Sequence, residues 1–328
     1  MTNDVIDKNI TELKKVSLLK DFVTKQGLLV ALILMIVVFS LLSPYFLSIK
    51  NFLNIALALA ITLMLSTGET VAIICGLTDL SIASTLAFSS VIMAILLAFK
   101  LHFVIAILIA LLLGAIIGYI NGFVTTKLRV NPLITTLGTM ATFRGLAYII
   151  SEGKSIGVYN SNFESMGKDT LLGIPAPFIA AFIMCLVIYF ILDFTVFGRR
   201  IYAVGGNSYI SELFGINSNR IKILAFIISG VTAAIAGVFT TARMKTGAPI
   251  AALGQELPVI TAVILGGSSI SGGIGNIWGT VLGVLFLSIL NNGFTLTYVS
   301  SFWQQVVRGI VLIGAVAIDI IRREKRKN

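Results

Sequence analysis

Residues 197–222, FGRRIYAVGGNSYISELFGINSNRIK, form a long polar break in a chain that is otherwise close to hydrocarbon. Four basic residues, Arg199, Arg200, Arg220 and Lys222, bracket a short amphipathic pattern. After Gly205-Gly206, Asn207 or Ser208 suits an N-cap, because its side-chain oxygen can accept an orphan backbone N–H of the first turn. Ile210, Leu213 and Phe214 follow at i, i+3 and i+4, one face of a helix, and Gly215 suits a left-handed stop. About two turns of helix are not stable alone in water. The apolar face must therefore bury against the rest of the chain, against lipid headgroups, or in a groove on a partner protein.

Over the whole chain, 57% of the 328 residues are hydrophobic and 12% are charged. Soluble domains carry about twice that charge fraction, so the composition is that of a polytopic membrane protein. The net charge of +10 does not indicate nucleic acid. The basic residues sit in short loops and at the ends, where topology signals belong, and no basic run is interleaved with exposed aromatics. Cys75 and Cys185 lie in apolar segments far apart, and two such cysteines read as small buried hydrophobes, with no disulfide framework or zinc site. The first apolar run follows a long charged segment and lacks a small-residue cleavage site, so it reads as a retained helix and not a signal peptide.

A helix needs about 20 apolar residues to cross the hydrocarbon core. The candidate spans are 28–42, 53–67, 70–99 (broken), 103–125, 133–150, 178–196, 223–242, 257–269, 277–290 and 302–321. Short or glycine-interrupted spans pack inside a bundle or line a cavity. With ten crossings and both termini cytoplasmic, the inside holds sixteen basic residues: Lys8, Lys14, Lys15, Lys20, Lys25, Lys127, Arg129, Arg199, Arg200, Arg220, Lys222, Arg322, Arg323, Lys325, Arg326 and Lys327. The outside holds six: Lys50, Lys100, Lys154, Lys168, Arg243 and Lys245. That asymmetry follows the positive-inside rule; nine or eleven spans would put the two basic ends on opposite faces. The expected fold is an all-α polytopic membrane bundle of about ten segments, some of them broken or re-entrant. A cytoplasmic segment (1–27), one transmembrane domain (28–321) and a basic cytoplasmic tail (322–328) make up the chain. Within the domain, 197–222 is a cytoplasmic loop and 151–176 an external one. GFVTTKLRVNPLITTLG from Gly122 and GVFTTARMKTGAPIAALG from Gly237 echo each other loosely, as an inverted repeat would.

Asp79, in CGLTDLSIAST, falls in the broken third span. A charge at mid-membrane costs about 2.5–3.5 kcal/mol on insertion scales, so it must be satisfied or used. Gly76, Thr78, Ser81 and Ser84 suggest a helix that stops and restarts. Asp79 or Ser81 would cap the second half; Asp79 would also be placed to line a polar pathway. Glu69 is expected as an exposed carboxylate at the turn between the second and third spans. Arg144 lies within the fifth span and needs Asp79 or bundle carbonyls as a partner. Glu256 and Arg308 sit nearer span ends, where they would snorkel, and His102, the one histidine, marks an external boundary. Asn291, Asn292, Gln304 and Gln305 would either wet the mouth of a path for a neutral solute or bond helix to helix. The glycine run 266–280 lacks the lysine of a phosphate loop, and Gly153-Lys154-Ser155 lacks its first glycine, since position 148 is Tyr148. Those glycines fit close helix approach and a tight turn. No nucleotide site, paired catalytic carboxylates or zinc motif emerges.

Six stretches in this order resemble a known family: SPYFLSIKNFLNI, GLTDLSIAS, TLGTMATFRGLA, FGRRIYAVGGNSYISELFGIN, AVILGGSSISGGIGNIWGTVLG, and LNNGFTL before SSFWQQVVRG. The chain after about Leu28 looks like the membrane permease subunit of bacterial ATP-binding-cassette (ABC) sugar importers. The ribose-type branch it resembles also includes other pentose and hexose systems and the autoinducer-2 importer. The resemblance implies a second permease copy or a sibling permease, two cytoplasmic ATPase subunits that carry ATP and magnesium, an external sugar-binding protein, and no cofactor in this chain. It also places the family's ATPase-coupling segment on Gly206, Asn207, Ser208, Tyr209, Ile210, Glu212, Leu213, Phe214 and Gly215. Three departures bear on the local helix break and on substrate preference. Leu77-Thr78-Asp79-Leu80 stands where relatives read G-I-D-L, Ala83 where they have glycine, and Pro258 where an acid often follows Glu-Leu. The rival reading is an ion-coupled secondary transporter using Asp79, which would not need the cytoplasmic helix.

Overall fold

The computed structural model describes residues 27–327, and among these the chain is almost wholly helical. In order come α1 (Gly27–Leu42), α2 (Ile49–Ile74), α3 (Ile82–Ala98), α4 (Phe103–Lys127) and α5 (Pro132–Ile150). A small unit follows: β1 (Ile156–Gly157), α6 (Ser161–Lys168), β2 (Thr170–Leu171) and β3 (Ile174–Pro175). Then come α7 (Ala176–Phe194), α8 (Val196–Gly206), α9 (Ser208–Leu213), α10 (Ser218–Met244), β4 (Thr246–Gly247), α11 (Glu256–Leu265), α12 (Ile277–Leu296) and α13 (Ser301–Lys327). Seven helices are long and apolar enough to cross a membrane, and α1, α3 and α11 are shorter apolar helices. The protein is an all-α polytopic membrane bundle. Residues 1–26, with their five lysines, lie outside the described residues.

Helix starts are set by side chains. Ser48, Asn131, Asn160, Thr195, Asn207, Asn217 and Asn276 each accept a backbone N–H of the first turn, worth about 1 kcal/mol apiece. Helix contact is set by missing side chains. Gly114, Gly118 and Gly122 stack along one face of α4, and a Cβ on Gly118 would meet the Ile227 Cα at 2.7 Å and the Phe226 carbonyl. On Gly122 it would meet the Ile223 Cα at 2.7 Å. The backbones of α4 and α10 therefore touch, the small-residue packing that membrane helices use in place of a hydrophobic driving force.

The order of those contacts makes α4 and α10 antiparallel, so Lys127 and Ser218 share one end of the bundle. α2 is antiparallel to α10 as well. Arg243 donates to the Leu57 carbonyl (3.1 Å), while Gly68 packs against Ser229 and Thr232. The C-terminus of α2 joins the same end, where the Gly273 N–H donates to the Ile74 carbonyl at 2.8 Å. Lys127, Arg129, Arg199, Arg200, Arg220 and Lys222 belong to this basic end. At the other end, β1 pairs antiparallel with β4 (Ile156 with Gly247), and β2 with β3 forms a hairpin. There Lys245 bonds Glu164, and that hydrogen bond holds the Glu164 carboxyl below the usual carboxylate range.

α3 packs on α4 and α5 as α11 packs on α12 and α13, while α10 lies against α3 and α4 as α2 lies against α11 and α12. Two units, α2–α5 and α10–α13, are thus arranged as an inverted repeat. Its register is not that of the Gly122/Gly237 echo, which would set α4 against α10 when α4 corresponds to α12. A second correction concerns the expected turn at Gly68-Glu69. α2 runs unbroken to Ile74, because Gly68 is a contact point for α10 and Glu69 a buried side chain. The real break spans residues 75–81. The polar 197–222 stretch is also more helical than expected, since α8 precedes α9.

Candidate functional site

At the basic end, α2 stops where Gly76 takes a left-handed φ of +77° and the Leu77 N–H returns to the Ala72 carbonyl at 2.9 Å, a glycine C-cap. The chain turns back through Asp79 before α3 begins. Asp79 is 1% exposed and Glu69, ten residues earlier on α2, is 0% exposed. Asp79 accepts three hydrogen bonds: the Ser81 N–H at 2.9 Å, the Ser81 hydroxyl at 2.5 Å and the Ser229 hydroxyl of α10 at 2.7 Å. The Asp79 N–H donates to Glu69 Oε1 at 3.2 Å. Asn121 of α4 donates to the Ser81 Oγ at 2.8 Å and accepts from Thr139 of α5 at 2.7 Å. Thr136 reaches the Thr78 carbonyl at 3.2 Å. One polar network therefore ties α2, α4, α5 and α10 to the break, and its partners satisfy both Asp79 oxygens, which would be costly to bury alone, whereas Glu69 Oε2 is buried with no partner among the described residues. Asp79, through its own acceptor oxygens, organises the start of α3; Ser81 makes no capping hydrogen bond.

The structure overturns two expectations here. Glu69 is not an exposed loop carboxylate, because α2 continues five residues past it. Of the two partners expected for Arg144, Asp79 or bundle carbonyls, the structure shows the carbonyls. Its Nη1 donates to the Pro249 and Ala251 carbonyls at 2.7 and 2.8 Å, and Nη2 lies 3.8 Å from Glu256 Oε1. Glu256 accordingly does not snorkel; it is buried at the start of α11, beside the non-helical residues 248–255. Asn292 exchanges two hydrogen bonds with Asn51 of α2, at 2.8 and 2.9 Å, so it joins helices. Asn291 Oδ1 is buried with no partner among the described residues. His102 begins α4, its Nδ1 accepting from the Val104 N–H at 3.4 Å.

The segment Gly206–Gly215 lies at the basic end. Asn207 caps α9 by accepting from the Ile210 N–H at 3.0 Å, and Gly215 takes φ +78°. The Ser218 hydroxyl donates to the Ser208 carbonyl at 3.0 Å, and Ser211 is buried, seating the helix on the bundle. Its apolar side chains point away. Tyr209 is 72% exposed, Leu213 70% and Phe214 82%, with Ile210 also exposed. α8 beneath it is anchored by contact. A Cβ on Gly205 would collide with the Ile74 carbonyl and sit 2.7 Å from the Gly273 nitrogen. Among the described residues no three His, Cys, Asp or Glu side chains come together to hold a metal ion.

Sequence reasoning missed Asn121 and Ser229, single polar groups inside apolar helices. The signal for Asn121 was present: an amide in the α4 run GYINGF, beside two of the contact glycines.

Residues 51–316 match the family described as branched-chain amino acid transport system / permease component. The chain is similar to the ribose import permease protein of Bacillus subtilis (strain 168), 40% identical, with 90% of this chain and 92% of the relative covered. It is similar to the L-arabinose transport system permease protein of Escherichia coli (strain K12), at 39% with 92% of each covered. The ribose import permease protein of the same strain is 37% identical over 92% of this chain and 95% of its own. No solved structure matches.

Proposed function

We infer how this chain works from one premise: it belongs to the branched-chain amino acid transport system / permease component family, and within that family its near relatives are ribose and L-arabinose permeases. It is a multi-pass inner-membrane permease component of an ABC sugar importer, a transport subunit and not an enzyme. Our proposal is that its solute is a neutral sugar or sugar-like molecule, not an amino acid. ATP and magnesium would bind a separate cytoplasmic ATPase subunit. An external binding protein would deliver the solute, and a second copy or a sibling permease would complete the path.

The observation that carries the coupling role is the outward-facing apolar surface of α9. A helix of six residues cannot hold such a surface in water by itself, and its own bundle leaves Leu213 and Phe214 uncovered. A groove on the ATPase would bury them, the helix-in-groove mode of recognition. ATP binding would then move α9 as a handle and favour one of two bundle states, through contacts that differ between them. The ion-coupled alternative gives α9 no task.

The test is a Leu213→Asp, Phe214→Asp double variant in proteoliposomes containing the whole importer, with the proton gradient collapsed. Insertion and the ATPase subunit's basal hydrolysis should persist while ATP-driven uptake falls at least tenfold. Unchanged coupled uptake would remove the handle assignment. Uptake by the unmodified protein that follows an ion gradient and ignores ATP would remove the importer reading itself.

A further inference from the structure

Arg308 is a charged group in the bundle that the coupling scheme leaves unused and that no carboxylate pairs with among the described residues. It lies seven residues into α13, about 10 Å along the axis at 1.5 Å per residue, on the least covered of the long apolar helices. Its Nε donates to the Gln304 carbonyl at 3.2 Å. A guanidinium at that depth is tolerated where it faces a polar cavity or reaches the interface.

A cavity is present. About 310 Å³ opens between α13 and the start of α11, lined by Gln255, Thr261, Gln305 and Arg308 with Leu257 and Leu312. That is room for one monosaccharide ring, in a groove open on one side. The polar lining is two amides, a hydroxyl and a guanidinium, with no carboxylate. The Thr261 hydroxyl donates to the Leu257 carbonyl at 2.6 Å, which leaves its oxygen free to accept. Amides and guanidinium donate to hydroxyls and ring oxygens, and the leucines suit the C–H face of a sugar ring. The set favours a neutral polyol over a cation.

We propose that this cavity is a transit subsite for one monosaccharide ring, with Arg308 and Gln305 as its specificity-determining hydrogen-bond partners. The proposal rests on the sugar-permease reading and adds a location to it.

The test uses Leu312→Cys as a reporter in the assembled importer, since native Cys75 and Cys185 are buried and stay silent. A membrane-impermeant thiosulfonate added from outside should label the reporter. D-ribose, L-arabinose or D-galactose should slow that labelling at least threefold, and Arg308→Ala or Gln305→Ala should abolish the protection while labelling persists. No labelling would mean that lipid or a partner fills the space, with Arg308 reaching a lipid phosphate; labelling indifferent to all three sugars would equally end the proposal. ATP-driven uptake of the same sugars by the reporter protein is measured in parallel. Absence of sugar protection in the reporter protein that keeps Arg308 and Gln305, with its uptake intact, removes the subsite alone, whereas no ATP-driven uptake of any sugar by the unmodified importer removes the reading beneath it.

Discussion

Replacing Asp79 by alanine should destabilise the bundle far more than replacing it by asparagine. Asp79 accepts from one fixed donor, the Ser81 N–H, and from two hydroxyls that can rotate, those of Ser81 and Ser229. Alanine orphans the buried N–H, at about 1–3 kcal/mol, and forces each hydroxyl to a poorer partner, at about 0.5–1.5 kcal/mol apiece. The total is roughly 2–6 kcal/mol, a large share of a typical folding free energy. Asparagine keeps an oxygen for the Ser81 N–H, and its amide can donate to the Ser229 oxygen once that hydroxyl turns. Its cost should be about 1 kcal/mol or less. Thermal unfolding in detergent, followed with a thiol-reactive dye, reads both variants, because Cys75 and Cys185 are buried until the bundle opens. A Ser229→Ala background sharpens the comparison: that substitution and Asp79→Ala remove the same bond, so their effects should be less than additive by about 0.5–3 kcal/mol. Equal stabilities for the alanine and asparagine variants, or full additivity with Ser229→Ala, would refute the view that the network holds the helix break.

Two further outcomes follow from the same geometry. Glu69→Gln preserves an oxygen for the Asp79 N–H and should leave stability within about 1 kcal/mol, whereas Glu69→Leu strands that N–H and should cost about 1–3 kcal/mol; the dye assay separates them. Gly118→Leu places a side chain where the Ile227 Cα now lies, so α4 and α10 must part. Assembly should fail, read as rapid proteolysis of a chain still inserted in the membrane, and Gly138→Leu, at a glycine with open space around it, should be tolerated.

Much of this was legible from the chain because membrane physics writes in large letters. Long apolar runs, the gathering of Lys127, Arg129, Arg199, Arg200, Arg220 and Lys222 at one end, and the pattern from Asn207 to Gly215 all follow from one-dimensional rules. The break at residues 75–81 was visible as well, since glycine, threonine, aspartate and serine cluster in it. What stayed hidden depends on contact between distant segments. Gly68-Glu69 has the composition of a turn, and only the approach of α10 explains why the helix runs through it. Arg144 needs a partner on any reading, but its partners are carbonyls more than a hundred residues away. The inverted repeat is carried by which helices pack together, not by identities, so the nearest sequence echo pointed to the wrong register.

The placement of the helix break relative to α9 bears on how a handle outside the membrane reaches its interior. Under the proposed coupling scheme, a pull on α9 would have two routes inward. One is covalent, through Gly215 and Asn217 into α10, which brings Ser229 and hence Asp79 with it. The other is steric: α8 presents Gly205 to the Ile74 carbonyl with no side chain between, and the Gly273 N–H is bonded to that same carbonyl. Both routes end on the same eleven residues, from Glu69 to Asp79. A helix that ran straight through the membrane there would transmit force only along its axis. One that stops at Ile74, reverses through a glycine and restarts at Ile82 has a short segment whose dihedrals can absorb a change in angle, and hinges take this form. The buried network makes that segment discrete instead of soft, because Asp79 either keeps its three donors or loses several at once. The arrangement suits a bundle that rocks between two states, and it explains why so much polar chemistry is concentrated at one bend in an apolar protein.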